Sequence, residues 1–428
     1  MSRGLAAALF LFVLFPQFVY CQSNQPLTLN EALRAADSMH PELALAQAEL
    51  AMAMADREVV LSRQDLAVNF EAGLRQAKPA FNTESSDFVD DHSVRLNAKK
   101  NIYDFGRTRY AENVSLDLVA AREQNLIDAR SRRRIEIMAR FFDVLLADMR
   151  AAAENEYRSI TFVTLDNAKH RHELGLISSV QLGELQARDQ TLAVRQSNAR
   201  KEQRAARAKL ASAMNRPGDL PGELVDPDLS SNNRPVGSYE ELLPIMLTNN
   251  PRLKAQQNLL TASRARLELL RAESSPSLDA ELEAGKYSRK LAARDELRAG
   301  VILNWPVYQG TRISAQSTRE HAQFQKLQAE LARLQLSLSQ ALLDTILEIE
   351  HLRKAARESA KVHVNYRDLV LERARGEYEM ELKTNLGESM AATVEAKLGE
   401  RKVEYQLALL FAELEALLGE SLPAASGK

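Results

Sequence analysis

Two spacings of apolar residues run through this chain. Leu66, Val68, Phe70, Ala72 and Leu74 alternate with Ala67, Asn69, Glu71 and Gly73, and Val94, Leu96, Ala98 and Ile102 alternate with Arg95, Asn97 and Lys99. Further on, Leu278, Ala280, Leu282 and Ala284 alternate with Asp279, Glu281 and Glu283. Ala299, Val301, Leu303 and Trp305 alternate with Arg298, Gly300, Ile302 and Asn304, where Ile302 is the one apolar residue on the polar side. A period of two marks strands with one apolar and one polar face. Strands are therefore predicted over about 66–75, 93–103, 277–287 and 296–305. Pro306 closes the last, because proline has no N–H to give a ladder. Elsewhere the spacing becomes three and four, as in Ile135, Met138, Phe142, Leu145 and Met149, and in Phe324, Leu327, Leu331, Leu334 and Leu338. That is the heptad seam of long packed helices.

Long helices are predicted over about 107–174, 178–215, 312–380 and 384–418, and the first contains no proline or glycine. At 1.5 Å per residue it would reach on the order of 100 Å. In the helix over 312–380 the seam slips by four between Leu338 and Ile346, through Leu342. Such a stutter is expected to unwind the supercoil there, so that paired helices pack as a wall rather than a rope. Each strand pair feeds straight into a long helix, which few architectures require.

The pattern occurs twice. Thr28-Leu29-Asn30-Glu31-Ala32-Leu33 and His40-Pro41-Glu42-Leu43 offer helix starts that are echoed by Tyr239-Glu240-Glu241-Leu242-Leu243 and Asn250-Pro251-Arg252-Leu253. Tyr103-Asp104-Phe105-Gly106-Arg107 after the second strand matches Tyr308-Gln309-Gly310-Thr311-Arg312 roughly two hundred residues later. An internal duplication of this length decides the fold. The first repeat is placed at 22–214 and the second at 238–418. A segment at 215–237 carrying Pro217, Pro221, Pro227 and Pro235 lies between them as a linker or an irregular packed stretch, and 419–428 is a tail. The fold class is mainly α with a small β part.

Composition adds targeting and removes several functions. Residues 1–21 carry Arg3, an apolar run from Leu5 to Leu14 and then Pro16, which reads as a signal peptide. No later run reaches the ~18 apolar residues of a spanning helix, so any passage through a membrane is by strands. Cys21 is the only cysteine, which excludes an intrachain disulfide. Its place at the end of the leader makes it a possible lipid anchor, although the preceding Tyr20 is larger than the small residue usual before a lipidated cysteine. A net charge of −2 gives no electrostatic footprint for nucleic acid.

Four strands with an apolar outer side leave two open edges, which hydrocarbon does not tolerate. Bacterial barrels close with eight or more strands, so several chains must share one; three would supply twelve. The inward face would carry Asn69, Glu71, Arg95, Asn97, Lys99, Asp279, Glu281, Glu283, Arg298 and Asn304, a mixture that suits a water-filled lumen. Tyr103, Phe105, Trp305 and Tyr308 cluster at the strand-to-helix junctions, where an interfacial aromatic girdle sits.

The chain resembles the TolC family of outer-membrane efflux proteins over nearly all of its mature length. The resemblance is carried in order by LTLNEAL and HPEL, YEELL and NNPRL, YDFGRTR and PVYQGTR, and the turn GLISSVQLGELQA. It implies a homotrimer with a 12-stranded β-barrel in the bacterial outer membrane, continued by an α-helical barrel into the periplasm. It implies partners as well: a periplasmic adaptor, or membrane fusion protein, and an inner-membrane transporter, in tripartite efflux or type I secretion. The tip that docks the adaptor would be Leu174, Gly175, Leu176 and Ser178 in one turn and Leu382, Lys383 and Thr384 in the other. The pore constriction would fall on Gln181, Glu184, Gly387 and Glu388. There the family's acidic pattern is thinned, because Gln181, Gly387 and Met390 stand at acidic positions and Glu381 replaces a glycine. Barrel and helices would join at Tyr103, Gly106, Arg107, Trp305, Pro306, Tyr308, Gly310 and Arg312.

Enzyme chemistry finds no support. His170 and His172 are two apart and do not share a helix face, no glycine-rich phosphate loop follows a strand, and no cofactor or metal site is expected. Arg132, Arg133 and Arg134 read as a solvated helix face. The competing reading is a soluble periplasmic coiled-coil scaffold or adaptor. An adaptor would carry a glycine-rich β domain between its helical arms, and none is visible.

Overall fold

A computed structural model describes residues 26–35, 40–78, 88–288, 295–380 and 385–421. The signal segment with Cys21 and the tip residues Leu382, Lys383 and Thr384 lie outside the described residues. Helix α1, Leu29–Arg34, starts at a capping box in which Thr28 and Glu31 satisfy each other's backbone N–H groups. Helix α2, Pro41–Leu61, has proline at its first position and is capped by His40 Nδ1, which accepts from the Glu42 N–H at 3.3 Å. Strand β1, Ala67–Gly73, continues into a short pair, β2 Gln76–Ala77 and β3 Val89–Asp90, and returns along β4, Ser93–Tyr103. Helix α3 then runs for 67 residues, Arg107–Glu173, and α4, Ser179–Ala213, returns beside it.

The second half repeats the sequence of elements. Helix α5, Tyr239–Asn249, again opens on a capping box, Ser238 with Glu241, and Asn250 caps α6, Pro251–Ala272. Strands β5, Ser277–Tyr287, and β6, Leu297–Asn304, precede α7, Arg312–His351. A π turn at Leu352–Ala356 leads into α8, Arg357–Glu379, and α9, Leu386–Leu418, returns. Across the slipped seam from Leu338 to Ile346 the backbone is regular helix, and Leu338, Leu342, Ile346 and Ile349 are buried. The irregularity falls later, where the linker crosses. Arg353 donates to the Arg234 carbonyl at 3.1 Å, and Arg357 binds both oxygens of Glu404 and the Asn233 side chain. A π turn takes up one extra residue in the ladder, which re-aims the side chains after it.

The four long strands form one antiparallel sheet in the order β1-β4-β5-β6. Its register gathers most of the charged residues on one side, while Lys100, opposite Ala280, and Lys286, opposite Val94, fall on the other. Glu71 lies opposite Arg95 with an ion pair of 2.6 Å, Lys99 lies opposite Glu281 at 3.1 Å and reaches Asp279 at 3.2 Å, and Arg298 lies opposite Glu283 at 3.4 Å. The other side pairs Phe70 with Leu96, Ala98 with Leu282 and Ala280 with Val301, and in the lone chain Phe70 is 70 % and Val301 60 % exposed. A bulge between Asn101 and Tyr103 sets Tyr103 opposite Leu278. Ile102 therefore sits in the bulge and does not continue the apolar alternation expected of it; Tyr103 takes that face instead.

The core is confined to a belt where the short helices meet the long ones. Ile137, Phe141, Phe142 and Val144 of α3 pack with Leu210 of α4 and Tyr405 of α9, and Tyr405 stacks on Phe142 at 4.5 Å. A second cluster joins Leu242 and Met246 of α5 to Leu342 and Ile349 of α7 and to Phe411 and Leu414 of α9. The expected seam through Ile135, Met138 and Met149 is thus shifted, because α3 has neighbours on both flanks and buries a wider stripe than a two-helix seam does. Arg133 departs from the solvated reading of its triplet. It is 3 % exposed and bonds Glu136 at 2.9 Å. The linker is an irregular packed stretch, holding Leu224 beside Leu27 and a 3₁₀ turn, Ser230–Asn233, whose Asn232 side chain donates to the Glu404 carbonyl and carboxylate.

Glu404 supplies a stability prediction. Burial alone would raise its carboxyl, yet the hydrogen bonds from Arg357 and Asn232 outweigh burial and hold it below the ordinary 4.5. A depressed carboxyl contributes stability in full above 4.5 and loses it as pH falls through the lower folded value. Glu404→Gln is expected to cost about 2 kcal/mol at pH 7. In thermal unfolding of the detergent-solubilised protein, the gap to wild type should close as pH is taken below 4.5.

Candidate functional site

The turn that ends α3 is built by the backbone. Gly175, at φ 72°, takes the left-handed conformation, its N–H reaches the His172 carbonyl at 2.9 Å, and the Leu176 N–H reaches the Arg171 carbonyl at 2.8 Å. This pair of bonds closes the helix end, and a side chain other than glycine would strain it. The return helix starts at once. Ser178 Oγ accepts the Gln181 N–H at 3.2 Å while Gln181 Oε1 accepts the Ser178 N–H at 2.9 Å. The tight turn leaves Leu174, Leu176 and Val180 at 74, 63 and 81 % exposure, a small apolar knob at the end of a long helical pair. Val180 was missed as a candidate because a valine in the first turn of a helix carries no signal until the turn's outer surface is known.

The constriction candidates divide. Gln181 is committed to the cap, and Glu184 stands exposed one turn further along α4. Glu388, near the start of α9, pairs with Arg188 of α4 at 2.5 Å. Gly387 lies against α3: a Cβ built there would clash with Cγ1 of Ile160. Farther from the tip, the Tyr157 hydroxyl of α3 donates to Glu395 of α9 at 3.0 Å, and burial followed by that bond raises the Tyr157 pKa. Arg158 of α3 binds the buried Asp189 of α4 at 3.0 Å. The first two ties, Arg188–Glu388 and Tyr157–Glu395, join the helical pair of one repeat to that of the other. Arg188, Tyr157 and Glu395 were not legible as site residues, since charged and polar residues on a helix give no hint of which partner helix they meet.

At the strand-to-helix junction Asp104 does the capping. Its Oδ1 accepts the Gly106 N–H at 3.1 Å and its Oδ2 the Thr108 N–H at 2.7 Å, while Tyr103 and Phe105 meet edge to face at 4.7 Å. Phe105, at φ 53°, occupies the left-handed place that Gly310, at φ 61°, fills in the second repeat. Arg107 reaches across the repeats and donates to the Ala272 carbonyl at 3.0 Å and to the Ser275 carbonyl. Arg312 bonds its own Gln309 and lies 3.8 Å from Glu273. Trp305 and Tyr308 are 61 and 88 % exposed, as a girdle at the edge of an apolar band would be. Among the described residues no group of acids, histidines or cysteines could hold a metal, and no helix is long and apolar enough to cross a membrane.

A family model described as outer membrane efflux protein matches residues 242–420, nearly the whole second repeat. Solved structures share the fold over most of the chain. The outer membrane protein VceC from Vibrio cholerae superposes with a TM-score of 0.71 at 17 % identity, over 92 % of this chain and 97 % of that one. The Campylobacter jejuni CmeC outer membrane channel gives 0.77 at 16 % identity, over 93 % and 87 %. The open state of the Neisseria gonorrhoeae MtrE outer membrane channel gives 0.70 at 16 %, over 94 % and 91 %. Comparison with curated proteins finds no match.

The contact between Gly387 and Ile160 sets a test of how closely α9 must approach α3. Gly387→Ala is expected to cost about 1–3 kcal/mol through overpacking. Adding Ile160→Ala should recover most of the loss, as read from the midpoint of thermal unfolding.

Proposed function

We propose that this chain is a member of the TolC family of outer-membrane efflux proteins and serves as the outer-membrane exit duct of a tripartite efflux or type I secretion assembly. It does no chemistry. Three copies close the sheet into a 12-stranded barrel, and α3, α4, α7, α8 and α9 continue it as a helical tunnel into the periplasm. The observation that carries the reading is the sheet itself, with a charged side, an apolar exposed side, and β1 and β6 at two unpaired edges. A soluble protein would cover that apolar side or shorten the edges. Hydrocarbon outside and water inside account for both faces at once.

The knob of Leu174, Leu176 and Val180 fits the tip of a partner's helical hairpin, so it is read as half of the adaptor-docking surface, with Leu382, Lys383 and Thr384 as the other half. Arg188–Glu388 acts as a latch between the two helical pairs. A single exposed ion pair is worth about 0–1 kcal/mol, so one alone would hold nothing; three around a ring amount to about 2 kcal/mol. Such a latch keeps the tip closed at rest and yields to the binding energy of an adaptor. Transport is passive, and the inner-membrane pump supplies the energy.

Carbonate-washed membranes and an unheated gel test the duct. The protein is expected to stay in the pellet and to migrate as a trimer that heating collapses; release into the supernatant as a monomer would identify a periplasmic scaffold instead. Two variants then separate docking from gating. Arg188→Ala should raise single-channel conductance or open probability at least tenfold, as loss of about 2 kcal/mol over three copies requires. Leu174→Asp with Leu176→Asp should abolish export and leave conductance unchanged.

A further inference from the structure

Two lysines stand on the apolar side of the sheet. Lys100 of β4 lies opposite Ala280, and Lys286 of β5 lies opposite Val94. Both are exposed, and neither ammonium has a protein partner among the described residues. On that face Lys100 is flanked by Ala98 and Leu282, and Lys286 by Leu96 and Ala284, whose side chains accept no hydrogen bond. A charge facing hydrocarbon is costly at mid-depth and nearly free at either interface. The question is therefore how deep each lysine sits.

Register answers it. Tyr103, Leu278 and Leu303 form one cross-strand row at the junction with the helices. Lys100 is on the row of Ala280, two positions further into the sheet (280 less 278), which is about 7 Å along the strand. Lys286 is eight positions from Leu278 (286 less 278), about 27 Å along the strand and about 20 Å in height at a tilt of about 40°. The apolar band of an outer-membrane barrel is about 25 Å tall. The two lysines thus stand near its two margins, and each four-carbon stem carries its ammonium to headgroup level. The hairpins agree in register, with Ala67 opposite Lys99 and Ser277 opposite Asn304. Lys100 therefore holds in the first hairpin the place that Trp305 holds in the second, and tryptophan and lysine both settle where acyl chains meet headgroups.

We propose that the lipid-facing side of the sheet binds a lipid phosphate at each margin, Lys100 that of an inner-leaflet phospholipid and Lys286 that of an outer-leaflet glycolipid. This rests on the reading of the chain as part of an outer-membrane barrel, whose helices mark the inner side. Water and lipid phosphate are the acceptors at that depth, and the charged phosphate makes the stronger bond to an ammonium. Net-negative headgroups are preferred, because a choline or ethanolamine group brings its own cation to the same phosphate. The apolar neighbours of each lysine give the acyl chains of the bound lipid a surface to lie on. Lipids are then held at fixed positions around the duct, by charge at the headgroup and by contact along the chains.

The test counts, by mass spectrometry, the lipids retained on the full-length protein after gentle extraction from outer membranes, where the leaflets differ. Lys286→Gln should lower retained lipid A about fivefold and leave phosphatidylglycerol unchanged, and Lys100→Gln should do the reverse. Lys286→Met and Lys100→Met, which lose the charge but enter hydrocarbon more readily, should lose the same lipids. Lys201→Gln, on α4, should change neither. Added to the delipidated protein in neutral detergent, dioleoylphosphatidylglycerol should raise the temperature at which the wild-type assembly comes apart, and dioleoylphosphatidylcholine should not. The double variant Lys100→Gln, Lys286→Gln should show no rise. An equal rise in the double variant, or unchanged retention in every lysine variant, would overturn the sites and leave the duct standing. Loss of both lipids together from either single variant would overturn the assignment to leaflets. A wild-type protein released from membranes by carbonate would sink the duct reading and the lipid sites with it.

Discussion

A backbone N–H or C=O left unpaired in hydrocarbon costs several kcal/mol, and a strand edge presents a row of them. The sheet of this chain has two such edges, β1 and β6. Everything else is arranged around supplying them with a partner. Most of the charged residues are kept to one side by register and several are matched there in pairs, as with Glu71 and Arg95. The apolar residues are left uncovered on the other. The junctions are held by side chains, Asp104 as a cap and Arg107 as a tie between repeats, so that each strand enters its helix at a fixed angle. A strand that wandered at the junction would misplace the edge that has to meet its neighbour.

Below the sheet the problem changes from edges to thinness. A wall one helix deep buries little, so the large apolar side chains collect where α1 and α5 thicken it, around Phe141 and Phe142 in one repeat and Leu342 and Ile349 in the other. Toward the tip that support fades and polar ties take over, such as Arg158–Asp189 and Tyr157–Glu395. A region held by such bonds separates at lower cost than one held by a core. The end of the long helices farthest from the sheet is therefore the end with the least apolar burial.

Much of this was legible in the residues. The strands announce themselves because alternation survives in all four, and the two halves announce each other through Pro41 and Pro251, Arg107 and Arg312. What escaped was what depends on a neighbour. Arg133 looked solvated because a triplet of arginines gives no sign that one will lie 3 % exposed between helices. The helix over about 312–380 read as continuous, yet a π turn interrupts it at Leu352–Ala356, where the linker contacts Arg353 and Arg357. Ile102 looked like the next apolar residue of β4 until the bulge moved that duty to Tyr103. Gly387 stood at a position marked for an acid, but it admits Ile160 instead. A spacing rule sees one element at a time, and each of these features belongs to two.

The repeats also differ in a direction that physics requires. Where α6 meets α3 within the chain, the seam carries the small side chains of Ala255, Asn258 and Ala262; the equivalent positions on α2 are Leu45, Ala48 and Met52. A seam inside one chain forms between parts that are already tethered. A seam between copies must also offset the translational and rotational freedom lost on association, several kcal/mol at the least. At roughly 25 cal/mol per Å² of apolar surface, exchanging alanines for leucine and methionine at the outer seam is a direct way to supply that difference. In the chain α6 is covered by α3 and α7, whereas Leu45 and Met52 of α2 stand exposed.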